Sequence, residues 1–161
     1  MQLIELFTVQ KKLNERILEE HQLDPGTLKN KKYLALLTEL GELANETRCF
    51  KYWSTKPPAP RENILEEYVD CLHFILTIGL DHGFEYVNPE YNVDSTDLTS
   101  HFINLFLAVN ELVSFSSINS YEILVEDFFA LGDALGFTWD EITAAYMSKN
   151  QINHQRQDEE Y

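Results

Sequence analysis

The apolar residues of this chain recur mostly at three- and four-residue intervals, which is the period of amphipathic α-helices. In the first segment, residues 2–21, this spacing joins Leu3, Leu6, Leu13 and Ile17. Five further helices are predicted, over residues 28–50, 61–82, 98–115, 120–135 and 139–156. No segment is assigned as a strand, so the sequence predicts an all-α bundle of about six helices.

Residues that start or stop helices set these boundaries. Asp24-Pro25-Gly26 ends the first helix, and the three prolines of segment 54–60 exclude a continuous helix there. Gly83 ends the third helix. The remaining signals are the N-cap sequence Asp94-Ser95-Thr96-Asp97 before the fourth helix, Gly136 as the C-cap of the fifth and Thr138 as the N-cap of the sixth.

The second and third helices are apolar on two sides. One stripe of the second helix carries Tyr33, Leu37 and Leu40, while Leu36 and Leu43 flank its opposite side. The third helix likewise has apolar residues on both of its faces. Helices of this kind are predicted to lie in the centre of the bundle.

Composition supports one domain, residues 1–161. The chain has 44% hydrophobic residues but only 6 glycines and 5 prolines, which suits one core built from long helices. Its formal net charge of −15 opposes binding to nucleic acid or anionic lipid. It has no apolar run of ~20 residues and no signal-peptide features, so we expect a cytoplasmic protein without nucleic-acid or membrane partners. Cys49 and Cys71 are expected to be reduced thiols.

Two pairs of carboxylates are the first candidates for chemistry. Glu39 and Glu42 are three residues apart on the second helix, and Glu67 and Asp70 repeat that spacing on the third, so each pair shares one helix face. Such pairs are commonly solvated surface charge. Here apolar residues flank both pairs, and carboxylates that face protein need a neutralising cation. Because all the ligands are hard oxygens, the pattern favours Mg²⁺, with Mn²⁺ as a substitute.

The last predicted helix has a face of cations and amides. Lys149, Asn153 and Arg156 follow Tyr146 at helical spacing, which places them on one side of the helix. Lys and Arg are the usual charged partners of phosphate groups. From spacing alone, a phosphate-binding face and a solvated terminal helix are equally acceptable interpretations.

The acidic motifs resemble those of a known superfamily. Glu39-x-x-Glu42 followed by Glu67-x-x-Asp70 is similar to the paired E-x-x-E and E-x-x-D helices of the all-α NTP pyrophosphatases. That superfamily includes MazG-like enzymes and dimeric dUTPases. The resemblance implies an all-α fold of the pyrophosphatase type.

Further segments resemble the dimeric dUTPases in particular. Residues 146–161 are similar to the C-terminal phosphate-binding signature of that family, with Glu160-Tyr161 where the family has Gly-Tyr. Residues 45–53 and 66–74 are also similar to it. The likeness therefore covers the second, third and last helices.

The resemblance implies Mg²⁺-dependent hydrolysis of dUTP to dUMP and pyrophosphate, by attack of a metal-activated water on the α-phosphorus. It leaves open whether dUDP is also a substrate. Glu39 is implied to orient or deprotonate the water. The implied metal ligands are Glu39, Glu42, Glu67 and Asp70. The implied phosphate ligands are Lys149, Asn153 and Arg156.

The same resemblance implies a uracil pocket and a homodimer. Gln10 and Asn14 lie one turn apart on the first helix, where the family places amides against the uracil edge. Trp53 is a candidate to stack on the base, although core packing also accounts for a tryptophan there. His73 follows Asp70 by one turn and has two interpretations, contact with the sugar or local packing.

Two other functions fit part of the pattern. A related pyrophosphatase with another base preference, such as a dCTPase or a MazG-like house-cleaning enzyme, would share the four carboxylates but not Gln10, Asn14 and the C-terminal signature. A non-catalytic helical interaction module would carry the acidic pairs as surface charge.

Overall fold

The computed structural model of the protein describes residues 1–92 and 96–159. Asp94 and Ser95 of the predicted capping sequence lie outside these residues, as does Glu160-Tyr161. Within the described part there are six α-helices and no strand, so the all-α prediction is confirmed. The helices are α1 (Leu3–Glu20), α2 (Lys29–Thr47), α3 (Arg61–His82), α4 (Leu98–Ser114), α5 (Ile118–Ala134) and α6 (Trp139–Asp158), with a short 3-10 turn at Pro25–Thr27.

Several helix ends follow the predicted signals. Gly83 closes α3 in the left-handed conformation, with φ of +71°. Asp97 caps α4, since its side chain accepts a hydrogen bond from the Thr99 backbone N–H. Thr138 and Glu141 form a reciprocal capping box at the start of α6. These boundaries depend on local chemistry, which is why the sequence predicted them.

Three predicted boundaries are off by two residues or more, and one of them is the end of the last helix, which was expected at residue 156 but lies at Asp158. The second helix was expected to reach residue 50 but ends at Thr47, because Arg48 adopts a left-handed conformation with φ of 58°. The backbone N–H of Arg48 donates hydrogen bonds to the carbonyl oxygens of Ala44 and Asn45. The fifth helix was expected to begin at Ser120 but begins at Ile118. Ser117 is its N-cap, and its hydroxyl accepts from the Ser120 N–H.

Helix α3 lies at the centre of the bundle and contacts α1, α2, α5 and α6. The Tyr68 ring stacks on Phe128 with centroids 4.2 Å apart, and its hydroxyl donates to the Phe128 carbonyl. This ring also packs against the backbone of Gly132, where a Cβ atom would collide with it. These contacts fix the rotation of α3 relative to α5 and so fix the direction in which the polar side chains of α3 project.

Helices α1 and α6 close the bundle on another side of α3. Arg16 of α1 donates to the His154 carbonyl of α6 at 3.1 Å and forms an ion pair with Asp158. The first and last helices consequently contact each other and α3, while α2 packs on α3 from its own side. This arrangement brings one face from each of the four helices to a common cavity.

Candidate active site

A cavity of about 360 Å³ lies among α1, α2, α3 and α6. Most of the residues singled out in the sequence line it. These are Gln10, Asn14, Glu39, Asp70, Lys149, Asn153 and Arg156. Leu13, Ile17 and Phe74 contribute apolar wall, so the cavity combines an apolar surface with a few convergent polar groups.

Three carboxylates converge beside this cavity. Glu39 on α2 and Glu67 and Asp70 on α3 each place a carboxylate oxygen within 4.8 Å of the others. All three side chains are partly buried. The fourth predicted ligand, Glu42, is exposed and lies outside this group of three. The described residues thus offer a group of oxygens that can hold a metal ion.

The cluster is electrostatically unfavourable when all its members are ionised. Burial and then repulsion from Asp70, Glu42 and Glu67 raise the pKa of Glu39 to about 7. Burial and the charge of Asp70 also raise the pKa of Glu67. Burial raises the pKa of Asp70, against the opposing effect of Lys149. A cation bound between these three partly desolvated carboxylates would therefore stabilise their ionised forms.

In this structure the ammonium of Lys149 partly neutralises the acidic cluster. Its ammonium lies 2.7 Å from Asp70 Oδ2 and 2.9 Å from Glu66 Oε1. Burial lowers the pKa of Lys149, but hydrogen bonds to these two carboxylates outweigh it and the net shift is upward. The residue predicted to bind phosphate thus reaches the acidic cluster itself.

The other two predicted phosphate ligands are neighbours on α6. Asn153 and Arg156 both line the cavity, one helical turn apart. Arg156 Nη1 lies 3.5 Å from Asn153 Oδ1, at the limit of a hydrogen bond. The structure therefore brings all three predicted phosphate-binding side chains to the wall that also carries Asp70.

Gln10 stands at the centre of a buried hydrogen-bond network. Only 3% of Gln10 is exposed, so this amide belongs to the interior of the bundle rather than to the surface of α1. Its Oε1 accepts from the Tyr146 hydroxyl at 2.5 Å and from His73 Nδ1 at 2.7 Å. Its Nε2 donates to Asn14 Oδ1 at 2.8 Å, and the Thr77 hydroxyl donates to the same oxygen at 3.1 Å.

His73 is a cavity residue for which the sequence leaves two interpretations, contact with the sugar or local packing. Its ring stacks on Tyr146 with centroids 4.2 Å apart. Because Nδ1 donates to Gln10, the proton belongs on Nδ1, and Nε2 is a buried acceptor without a partner among the described residues. Burial, followed by the charge of Lys149, lowers the pKa of His73 to about 3, which keeps the ring neutral. The sequence signal was its position one turn after Asp70.

Trp53 is not among the residues that line the cavity. It is 65% exposed and makes edge contacts with Phe50 and Tyr52. Its segment is tied down by Arg48, which donates to Ser54 Oγ at 2.7 Å and to the Lys56 carbonyl. In this structure the tryptophan therefore belongs to a surface aromatic cluster rather than to the cavity wall.

Comparisons with known proteins agree with the cavity chemistry. A family model described as dUTPase matches residues 2–161. No curated protein matches the chain. Among the described residues, none of the helices has the length and apolar character needed to cross a membrane.

Proposed function

This chain belongs to the dUTPase family of the all-α type and hydrolyses dUTP, and from this premise we infer that the reaction takes place in the cavity among α1, α2, α3 and α6. The proposed products are dUMP and pyrophosphate. The proposed cofactor is Mg²⁺, with Mn²⁺ as a substitute. One observation carries this proposal: carboxylates from two helices converge within 4.8 Å beside a cavity that also presents amides and cations.

Glu39, Glu67 and Asp70 are the proposed metal ligands, and Glu42 is proposed to join them from its exposed position on α2. The donors are all carboxylate oxygens, which suit Mg²⁺ and Mn²⁺ rather than zinc. A divalent cation also relieves the repulsion that raises the pKa of Glu39 and of Glu67. When bound, Mg²⁺ neutralises phosphate charge and lowers the pKa of the attacking water.

Glu39 is the proposed catalytic residue, which orients the water that attacks the α-phosphorus or accepts its proton. Lys149 and Arg156 are proposed to bind the outer phosphates, with Asn153 assisting from the same face of α6. Enzymes catalyse phosphoryl transfer mainly by positioning the reactants and neutralising their charge. These residues therefore do not need to form a covalent intermediate.

Base recognition is proposed to involve Gln10, Asn14 and His73, with Gln10 also orienting the other two. A uracil edge presents two carbonyl acceptors and one N–H donor, so its pocket needs donors and an acceptor. The oxygens of Gln10 and Asn14 each already accept two hydrogen bonds. Their amide N–H groups supply donors, and His73 Nε2 supplies an acceptor. A cytosine, whose N3 carries no proton, would leave that buried acceptor unpaired. Stacking by Trp53 stays a prediction.

A homodimer and a single domain over residues 1–161 are also proposed. Exposed apolar side chains recur along one face of α4, where Ile103 is 57% exposed, Leu107 is 62% exposed and Phe106 lies between them. An apolar stripe of this kind marks an interaction surface, and a second copy of the chain is the occupant that we propose. The single domain is supported by a cavity that uses both the first and the last helix.

The test is pyrophosphate release in the presence of Mg²⁺ from dUTP, dCTP, dTTP and UTP measured in parallel, with Glu39→Gln as the blank. Turnover largely confined to dUTP and lost in the variant would support both the metal site and the base pocket. Broad turnover would retain the metal site and overturn the assignment of the base pocket. Full activity of Glu39→Gln would overturn the proposed catalytic role.

A further inference from the structure

Lys149 is paired with a carboxylate, that of Asp70, which is also a proposed metal ligand. Its ammonium lies 2.7 Å from Asp70 Oδ2, and Asp70 is one of the three carboxylates that converge with Glu39 and Glu67. Only 11% of the Lys149 side chain is exposed, so this ion pair is largely withdrawn from water. Glu66 holds the ammonium from a second side at 2.9 Å.

A metal ion on Asp70 would weaken the ion pair between Lys149 and Asp70. A Mg²⁺ ion binds carboxylate oxygens at about 2.1 Å, which would bring it close to an ammonium that donates to the same carboxylate. The repulsion between the two cations is strong in a partly buried site, because little solvent separates them. The two cations therefore compete for Asp70.

We propose that Lys149 is a positioning residue that serves the acidic cluster as an internal counterion in the nucleotide-free protein, and that it leaves Asp70 for substrate phosphate when divalent metal binds. This exchange rests on the proposed metal site. Lys149 lines the same cavity as the proposed phosphate ligands Asn153 and Arg156, so a phosphate bound there is within the reach of its long side chain.

The exchange makes metal binding and phosphate binding mutually supportive. Metal that binds alone weakens the ion pair between Lys149 and Asp70 and leaves the ammonium with Glu66. Metal that binds with a nucleoside triphosphate gives the ammonium a phosphate partner instead. By linkage, the nucleotide tightens metal binding and the metal tightens nucleotide binding by the same factor.

The first test is Mn²⁺ binding to the nucleotide-free protein, followed by the electron paramagnetic resonance signal of free Mn²⁺. Lys149→Met is expected to tighten Mn²⁺ binding about ten- to hundredfold, which is the range that corresponds to loss of a charged hydrogen-bonded competitor. Lys149→Arg keeps a cation at this position and is expected to bind Mn²⁺ like the wild type. Unchanged or weaker binding by Lys149→Met would overturn the proposal.

Lys32→Met is the matched control. Lys32 lines the same cavity and is 14% exposed, but its ammonium pairs with Asp81 at 2.6 Å rather than with the acidic cluster. Its removal deletes one positive charge near the site without freeing a metal ligand. We expect a change in Mn²⁺ affinity of less than about threefold, because the Lys32 ammonium is paired with Asp81 and holds none of the three converging carboxylates. An increase as large as that of Lys149→Met would overturn the specific exchange.

A second test measures the exchange in the wild-type protein. Amine-reactive labelling followed by peptide mass spectrometry should modify Lys149 faster as Mn²⁺ saturates the protein, since metal binding removes one of its two ion pairs, the less exposed one with Asp70. Lys32 should be modified at a constant rate and serves as the internal reference. Labelling of Lys149 that stays constant or slows with Mn²⁺ would contradict the exchange.

Asp70→Asn separates failure of this inference from failure of the proposed metal site. If the wild type binds Mn²⁺ and Asp70→Asn loses that binding, the metal site stands and the Lys149 variants decide the exchange alone. If the wild type binds no Mn²⁺, or Asp70→Asn binds it equally well, the metal site and the exchange are both overturned.

Discussion

Glu39→Gln is expected to stabilise the metal-free protein while it removes the proposed catalytic carboxylate. Burial and the neighbouring charges of Asp70, Glu42 and Glu67 raise the pKa of Glu39 from 4.5 to about 7. The folded state therefore binds a proton more tightly than the unfolded state does. The free energy of unfolding falls as the pH rises above about 4.5, and this loss is complete above about pH 7.

The size of the effect follows from the pKa. A rise from 4.5 to about 7 corresponds to roughly 3 kcal/mol at about 1.4 kcal/mol per pKa unit. Because Glu39 is only half-buried, solvent screening reduces this to about 1–2 kcal/mol. Glutamine resembles the protonated acid in shape and charge, so the variant recovers this amount at pH 8. At pH 5 the gain should fall to about a quarter of that value.

Thermal unfolding in the presence of EDTA measures the prediction. At pH 8 the midpoint of Glu39→Gln should exceed that of the wild type by about 2–8 °C, given about 2–4 °C per kcal/mol for a chain of this size. Glu19→Gln is the control, because Glu19 is an exposed carboxylate of α1 that does not line the cavity and lies away from the proposed dimer face on α4. A Glu39→Gln midpoint at or below that of the control at pH 8 would refute the reasoning.

Three further substitutions test the core, the base pocket and the dimer. Gly132→Ala should destabilise the fold by about 2 kcal/mol or more in urea denaturation, because the new Cβ would meet the buried Tyr68 hydroxyl; wild-type stability would contradict the packing described. His73→Phe keeps an aromatic ring but removes the acceptor, and it should lower kcat/KM for dUTP about tenfold or more, whereas unchanged kinetics would exclude His73 from the base pocket. Leu107→Glu on α4 should convert a dimer to an 18.8 kDa monomer in light scattering, and a wild type that is itself monomeric would overturn the dimer.

The helices and most of their ends could be predicted because they depend on neighbouring residues. Gly83, Asp97 and Thr138 each act through contacts within a turn of the chain. The end of α2 could not be read in this way. Arg48 adopts a left-handed conformation that its residue type rarely takes, and its side chain bonds to Ser54 and Lys56 in the following segment.

The sequence predicted which residues come together at the candidate site better than it predicted the contacts between them. Spacing on α3 placed Glu67 and Asp70 on one face, and the structure brings Glu39 from α2 to them. The spacing could not show that Glu42 would be exposed. It also could not show that Lys149, which lies in another helix, would pair with Asp70, since that contact depends on how α6 packs against α3.

The base pocket shows the same limit. Gln10 and Asn14 share a helix face, which the sequence contains, but the burial of Gln10 depends on Tyr146 and His73 from two other helices. The Gln10 oxygen accepts hydrogen bonds from both of these residues. His73 Nε2 is left as a buried acceptor without a partner among the described residues. Contact between Gln10 and the base stays a prediction, and its hydrogen bonds to His73 and Asn14 add a proposed role in orienting these two neighbours.

The proposed metal centre is tested most directly by the dependence of dUTP hydrolysis on Mg²⁺ in the wild type and in Asp70→Asn, with Glu19→Gln as the control. The account predicts turnover that rises and saturates with Mg²⁺ in the wild type and in the control, and a loss of at least about a hundredfold in Asp70→Asn. Wild-type turnover that persists after complete removal of divalent cations, or an Asp70→Asn protein with normal activity, would contradict a metal centre at Glu39, Glu67 and Asp70.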